Sequence, residues 1–376
     1  MKRKLLVLGE SYMNLEIQTD PIGKNSVITR GGQYGFHPYG RTAATAITAS
    51  KMGATCVLSS KLAKDSNGDR LKKYYNSCGV DTSLISDVED TQTGFSVTMY
   101  EQRGNCSHIV SKGANEFFTK KDIDNAFGAF PDFFVVPQDN LSCADEAEEE
   151  AVKPTEKAET VDEILSNSLD MRQSDSKPIP ESISDVDEPA DTVQVSDPRG
   201  LNPLTLYACN KAMERGVDMI VDYDSCSSLP LSEFVGIKVL IISDKALYKM
   251  TGFYSSTDEI ITRSLVSLQT HIRAKYYIVT VGSDASFVYD GNAYEKVVAP
   301  ECMSEYIKDA PKRMRETFIG AFAAEFLETK NPVRACLYAN IVSLMTKSND
   351  GVLEHIPTKD EVEKYIADNK INMIRW

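Results

Sequence analysis

Three cations stand close together in front of an apolar run: Lys312, Arg313 and Arg315 precede Glu316-Thr-Phe-Ile-Gly-Ala-Phe-Ala-Ala-Glu325. The run has the look of a helix, and a helix N-terminus exposes unpaired N–H groups that favour negative charge. The cluster could therefore hold an anion by charge, or be a solvated basic turn; the residue types fit both. Other chemistries are excluded more firmly. No GxxxxGK[ST] loop is present, no GxGxxG follows a strand, and there is no GxSxG elbow. The histidines His37, His108, His271 and His355 lack ligand spacing, and the eight cysteines include no CxxC. No metal site is expected from them, and free thiols fit a chain of this length better than a disulfide framework.

Such groups must be positioned by surrounding elements, and the pattern here alternates between strand and helix. Residues 4–9 read as a buried strand. Residues 41–52 form an alanine-rich helix ending at Gly53, and residues 54–62 a strand. A helix opens at Ser66-Asn-Gly68 and stops at Gly79. Residues 133–137 are apolar throughout and read as another buried strand. Further on, helices are expected over 205–215, from 243 to 250, and over 259–271, 316–327 and 333–347. Strands are expected over 219–222, 239–242, 276–281 and 287–289. This alternation predicts a mostly parallel sheet covered on both faces. The extended segments at 15–36 and 93–111 break the alternation and predict a small β-sheet beside the main domain.

The net charge of −14 is unevenly placed. Residues 141–200 hold 17 Asp and Glu against 5 Lys and Arg, which leaves −2 for all the rest. That stretch has no Phe, Trp or Tyr and is rich in Ser and Pro. It cannot bury enough apolar surface to offset the entropy of ordering it, so residues 137–200 are expected to be a disordered acidic insertion. The body is nearly neutral and has no basic stripe with interleaved aromatics, which argues against a nucleic-acid partner. No run approaches the ~20 apolar residues of a membrane span. The apolar run at Leu5–Leu8 is too short for a signal peptide, so a cytoplasmic location is expected.

Three segments in order resemble the PfkB/ribokinase family of carbohydrate kinases. Tyr39-Gly-Arg-Thr-Ala-Ala-Thr-Ala-Ile-Thr-Ala-Ser-Lys-Met-Gly-Ala54 is similar to the family's Gly-Gly-x-x-x-Asn and the alanine-rich helix after it. Residues 65–85 (DSNGDRLKKYYNSCGVDTSLI) then resemble its Asp-x-x-Gly…Gly-Val-Asp-Thr-Ser pattern. Ile278-Val-Thr-Val-Gly282 resembles the strand ending in Thr-x-Gly, and Glu316-Thr-Phe-Ile-Gly-Ala-Phe322 the C-terminal Asp-Thr-Phe-x-Gly-Ala-Phe. The resemblance implies a ribokinase-like three-layer αβα sandwich over 1–136 and 201–376. It also implies a β lid from about 10–36 and 92–112, with the sugar between lid and sheet.

The resemblance further implies ATP and Mg2+ as cofactors, a sugar or nucleoside as acceptor, and a homodimer through the lid. The family's Gly-Ala-Gly-Asp, an anion hole followed by a base, falls on Arg313, Met314, Arg315 and Glu316. Glu316 keeps the carboxylate one methylene further out, and a misplacement of ~1 Å can lower a rate about 100-fold. The sugar-side positions fall on Asn14, Gly40 and Ala44; Asn14 can hydrogen-bond a hydroxyl and Ala44 cannot. The Asn-x-x-Glu pair that organises the metal in the family falls on Ser243 and Ala246, with Asp244 adjacent. The nucleotide-side positions are Ser243, Thr280, Gly282 and Asn340. Two readings follow: a carbohydrate kinase with weakened or lost phosphoryl transfer, or an inactive pseudokinase acting as a ligand-binding or regulatory protein.

Overall fold

The computed structural model describes residues 3–20, 31–101, 106–137, 141, 202–253, 257–282, 285–304, 306, 315–346 and 352–373. The expected acidic insertion lies outside these residues, apart from Pro137 and Leu141.

The thirteen described strands are β1 (Lys4–Leu8), β2 (Tyr12–Thr19), β3 (Gly31–Tyr39), β4 (Thr55–Ala63), β5 (Asp81–Val88), β6 (Phe95–Glu101), β7 (Cys106–Ser111), β8 (Phe133–Val135), β9 (Asp218–Asp222), β10 (Ile237–Ser243), β11 (Tyr276–Val281), β12 (Ala285–Tyr289) and β13 (Tyr294–Val298). The described helices are α1 (Arg41–Lys51), α2 (Ser66–Ser77), α3 (Lys120–Gly128), α4 (Pro203–Arg215), α5 (Tyr223–Cys226), α6 (Asp244–Thr251), α7 (Asp258–His271), α8 (Arg315–Thr329), α9 (Pro332–Met345) and α10 (Lys359–Asp368). Nine strands form one sheet in the order β13-β12-β11-β10-β9-β8-β1-β4-β5. Pairing is parallel from β11 to β5, while β12 and β13 run antiparallel at one edge. A separate four-stranded sheet has the order β3-β2-β6-β7.

Strand β1 shows why both faces are covered. Successive side chains point to opposite faces of a sheet. Leu5 and Val7 enter one core with Ile47 of α1, Phe318 and Phe322 of α8, and Ile341 of α9. Leu6 and Leu8 enter the other, with Ile123 and Phe127 of α3 and Leu204 and Ala208 of α4. Burial on both sides explains the unbroken apolar run. It also gives the three layers: helices, sheet, helices.

Helix α8 is buried from Thr317 to Leu327 and runs against α1 and α9. The approach of α1 is close, with Thr45, Thr48 and Ala49 turned toward α8. At Gly320 of α8 an added Cβ would lie 2.5 Å from the Thr45 carbonyl oxygen and 2.7 Å from Thr48 Cβ. Glycine there is a packing requirement between two helix backbones.

The Asp65-x-x-Gly68 spacing also has a structural cause. Asp65 caps α2, accepting the Gly68 N–H at 2.7 Å. The same carboxylate accepts the Thr93 N–H and hydroxyl, both at 2.7 Å. A Cβ at Gly68 would sit 2.3 Å from the Ala63 carbonyl oxygen. The motif therefore joins the end of β4, the start of α2 and the approach to β6.

Candidate active site at the carboxyl ends of the sheet

Chain order runs outward from β1 in two directions, to β4 and β5 on one side and to β8–β13 on the other. Open parallel sheets take ligands outside the strands' carboxyl ends, where the order reverses. Here that place lies between β1 and β8. Two helix N-termini converge on it. The start of α1 lies against the end of β1, since a Cβ at Gly9 would be 2.2 Å from Thr42 Oγ1. The start of α8 is tied to α1 by Arg41 Nε, which donates to Glu316 Oε1 at 2.9 Å. The small sheet rises from the same end, because the chain leaves β1 and enters β2 within residues 9–11.

Gly40 precedes α1 with φ of 139°, a conformation that favours glycine. A Cβ there would also stand 2.9 Å from the Glu10 carbonyl oxygen. Its own carbonyl accepts the Ala44 N–H at 2.9 Å, and Ala44 is buried in α1 with no polar side-chain atom to offer a ligand.

Arg315, in the first turn of α8, reaches across the ends of three strands. Its Nε donates to Asp222 Oδ1 at 2.7 Å, and its Nη2 meets Asp222 and, at 2.6 Å, Asp224 Oδ2. Longer contacts of 3.4 Å run to Thr280 Oγ1, near the end of β11, and to the Ile241 carbonyl oxygen of β10. Asp222 is fully buried at the end of β9. Burial works to lower the Arg315 pKa, but the carboxylates of Asp222 and Asp224 more than offset it and hold the guanidinium above its ordinary value.

The two arginines belong to one network. The Ser225 hydroxyl donates to Asp222 Oδ2 at 2.7 Å and accepts from Arg41 Nη2 at 2.8 Å. Ser243, which caps α6, donates its N–H to Asp224 Oδ2 at 2.8 Å and its hydroxyl to Asp224 Oδ1. Charge thus runs from Glu316 through Arg41, Ser225, Asp222, Arg315 and Asp224 to Ser243. Cys226 lies beside this network, with its thiol pushed well above the usual range by burial and then by Asp222. It is therefore held protonated and is no nucleophile.

Among the residues expected at a site, the structure brings together Gly40, Ser243, Thr280, Arg315 and Glu316. Arg313 and Met314 lie outside the described residues. Gly282 follows β11 with φ of 56°. Asn14 is fully buried in β2; its Oδ1 accepts from Ser96 at 2.7 Å and Thr98 at 3.2 Å, and its Nδ2 donates to Glu16. Asn340 is fully buried in α9, accepting from Ser286 of β12 at 3.1 Å and donating to the Val297 carbonyl of β13 at 3.4 Å. Asp222, Asp224 and Arg41 were absent from the expected set. The signal for the first two was present: Asp222-Tyr-Asp224 closes an apolar strand, at the sheet end where ligands gather.

The residues do not fit a divalent metal. Magnesium takes oxygen ligands in near-octahedral geometry. Ser243 and Ala246 stand where the resemblance calls for Asn and Glu, and Asp244 accepts the neighbouring Lys245 N–H. The nearby carboxylates of Asp222 and Asp224 both close on the Arg315 guanidinium. Among the described residues, no group of three or more His, Cys, Asp or Glu is placed to hold a metal ion.

A cavity of about 560 Å3 lies elsewhere, around Glu325, Arg334, Tyr338, Lys370 and Met373. It borders the C-terminal half of α8, away from Glu316. Among the described residues no helix is long and apolar enough to cross a membrane.

Comparison with known proteins bears on the fold and on the N-terminal half of the chain. Residues 2–186 match the family model described as pfkB family carbohydrate kinase. That match ends before Asp222, Ser243, Thr280 and Glu316. A ribokinase of Dictyostelium discoideum is 25% identical over 126 residues, 34% of this chain and 40% of that protein. A deoxyribokinase of Salmonella typhi is 24% identical over 122 residues, again 40% of its length. The aligned stretch thus spans well under half of these relatives. The solved structure of Arabidopsis thaliana ribokinase complexed with ribose and ATP superposes with a TM-score of 0.67 at 16% identity, covering 97% of this chain and 98% of that one. Residues 2–186 match the sequence pattern of the PfkB carbohydrate kinases, and the described residues have the ribokinase-like α/β fold.

Proposed function

We propose that this chain is a PfkB-type carbohydrate kinase that transfers a phosphoryl group from ATP to a sugar or nucleoside hydroxyl slowly. The observation that carries this reading is the position of Glu316. A carboxylate stands at the N-terminus of a buried helix, over the carboxyl ends of a parallel sheet, at the point where strand order reverses. Phosphoryl transfer needs a group to orient the attacking hydroxyl and fixed positive charge against the phosphate oxygens. Glu316 takes the first role. Arg315 and Arg41 supply the second, across the crevice from the small sheet, which acts as the lid. The ATP- and ribose-bound state of the Arabidopsis ribokinase, which shares the fold, supports ATP as donor and a pentose as a first acceptor to try.

The turnover is slow because both groups already have partners. Arg41 holds Glu316 at 2.9 Å, and Asp222 and Asp224 hold Arg315. With the longer side chain at the base position, we expect turnover at least about 100-fold below the ~1–100 per second of ordinary kinases. The test is direct detection of sugar phosphate and ADP by mass spectrometry, using ATP with ribose, deoxyribose, fructose and a nucleoside. The reading expects equimolar products that vanish in Glu316→Gln. Products unchanged in that variant would remove Glu316 from the chemistry.

The same ion pairs are compatible with a second reading, a ligand-binding pseudokinase. It is selected if ATP or a sugar raises the melting temperature while no acceptor yields product, because any ligand of the folded state stabilises it.

A further inference from the structure

A phosphate-binding crevice needs a fixed cation. In this crevice the acidic residues are already closed on one that belongs to the chain. Asp222 and Asp224 leave the end of β9 as a pair, and between them they have four carboxylate oxygens. Asp222 Oδ1 meets the Arg315 guanidinium, and Asp222 Oδ2 takes the Ser225 hydroxyl. Asp224 Oδ2 takes both Arg315 Nη2 and the Ser243 N–H, and Asp224 Oδ1 takes the Ser243 hydroxyl. Every oxygen faces a donor. The guanidinium is also anchored from the helix side, since Arg315 begins α8, whose following residues are buried. A divalent cation at these carboxylates would have to share them with a full positive charge within hydrogen-bond distance. It would meet repulsion as well as lost geometry.

We infer that Arg315 is the resident cation of this site, holding Asp222 and Asp224 in place of a divalent metal, so that these carboxylates take up no divalent cation and a nucleotide entering the crevice gains none from them. The inference rests on the kinase-type reading of the crevice, but its claim about metal stands on the carboxylate geometry alone. It also accounts for the loss of Asn and Glu at Ser243 and Ala246. With an arginine in place, Ser243 serves as a helix cap and as a donor to Asp224 instead of as part of a metal shell.

Two measurements test it. The first is a Mn2+ titration followed by electron paramagnetic resonance, which needs no nucleotide. The intact protein should leave the free Mn2+ signal unchanged up to about 1 mM, the weak end of known oxygen-ligand sites. Arg315→Ala, checked for folding by near-UV circular dichroism, should bind one Mn2+, and the double variant Arg315→Ala/Asp224→Asn should lose it. Stoichiometric Mn2+ binding by the intact protein that disappears in Asp224→Asn would overturn the inference. So would a folded Arg315→Ala that binds no Mn2+. The second measurement is ATP binding by calorimetry in Mg2+ and in EDTA. Equal affinity in the two supports the inference, and an affinity tenfold or more higher in Mg2+ refutes it. An absence of any ATP binding would sink the kinase-type reading and leave the Mn2+ result to decide the role of Arg315.

Discussion

Removing Arg315 should destabilise the protein far more than removing Arg41, although both arginines pair with a carboxylate in the same network. The difference lies in what is left behind. Arg315→Ala takes the guanidinium from Asp222, which is fully buried and keeps the Ser225 hydroxyl, and breaking a buried ion pair from one side costs about 3–5 kcal/mol because the remaining charge loses its counter-charge. Arg41→Ala leaves Glu316, 16% exposed at its side chain, and removes an arginine side chain that is 41% exposed. Exposed pairs contribute roughly 0.2–1 kcal/mol, so a loss near 1 kcal/mol is expected there. For a chain of this length, the per-residue unfolding entropy gives about 1.3 °C per kcal/mol, which places Arg315→Ala about 4–7 °C below the parent and Arg41→Ala about 1 °C below. Differential scanning calorimetry at pH 7 reads both. Arg315→Met with Asp222→Asn should recover much of the loss, since neutralising both sides of a buried pair is far milder than removing one. A drop under 2 °C for Arg315→Ala would refute the reasoning, because Asp222 would then be compensated by something other than the guanidinium.

Further outcomes follow from the same contacts. Asp65→Ala removes the cap of α2 and the acceptor for Thr93, and should lower stability by about 1–2 kcal/mol in thermal or urea unfolding. Desolvation pushes the Asp65 carboxyl up, but the Thr93 and Gly68 N–H groups and the Thr93 hydroxyl hold it below its ordinary 3.8. A lowered carboxyl stabilises fully above its unfolded value and loses that contribution as pH falls through the folded one. The stability gap between parent and Asp65→Asn should therefore be constant near neutrality and close below about pH 4. Gly320→Ala should cost about 1–3 kcal/mol by forcing α1 and α8 apart, measured by the same unfolding curves. A thiol reagent applied to the native protein and mapped by mass spectrometry should label exposed Cys302 while sparing Cys56 and Cys209. Burial pushes each of those two thiols up to about 12.

The main sheet was legible because β1, β8, β9, β10 and β11 are buried on both faces and read as continuous apolar runs. The small sheet was legible for the opposite reason, as extended segments that break the alternation. Edge strands were not. β5 and β13 lie at the two ends of the large sheet, and their half-exposed residues carry little apolar pattern. Helix α3 was missed although Thr119 and Asp122 form a capping box, because the third residue is Asp where the usual pattern has Glu or Gln. At the candidate site, motif order named Glu316, Arg315, Ser243 and Thr280, and the structure brings these four together. Their partners were not legible, since Asp222 and Arg315 are 93 residues apart and Arg41 and Glu316 are 275 apart. Asn14 and Asn340 carry the expected chemistry in their side chains, but the sequence does not show that neighbouring strands already take those amides.

The proposed site puts the ligand at the carboxyl ends of the strands from β1 and β8 to β11, against the starts of α1 and α8, and amide hydrogen exchange tests that placement directly. On adding ATP and ribose, exchange should slow at residues 222–226, 243–246 and 317–320 and in the first turn of α1. Protection confined instead to the cavity bordered by Glu325, Arg334 and Met373 would contradict the account, because the ligand would then sit at the far end of α8 from Glu316.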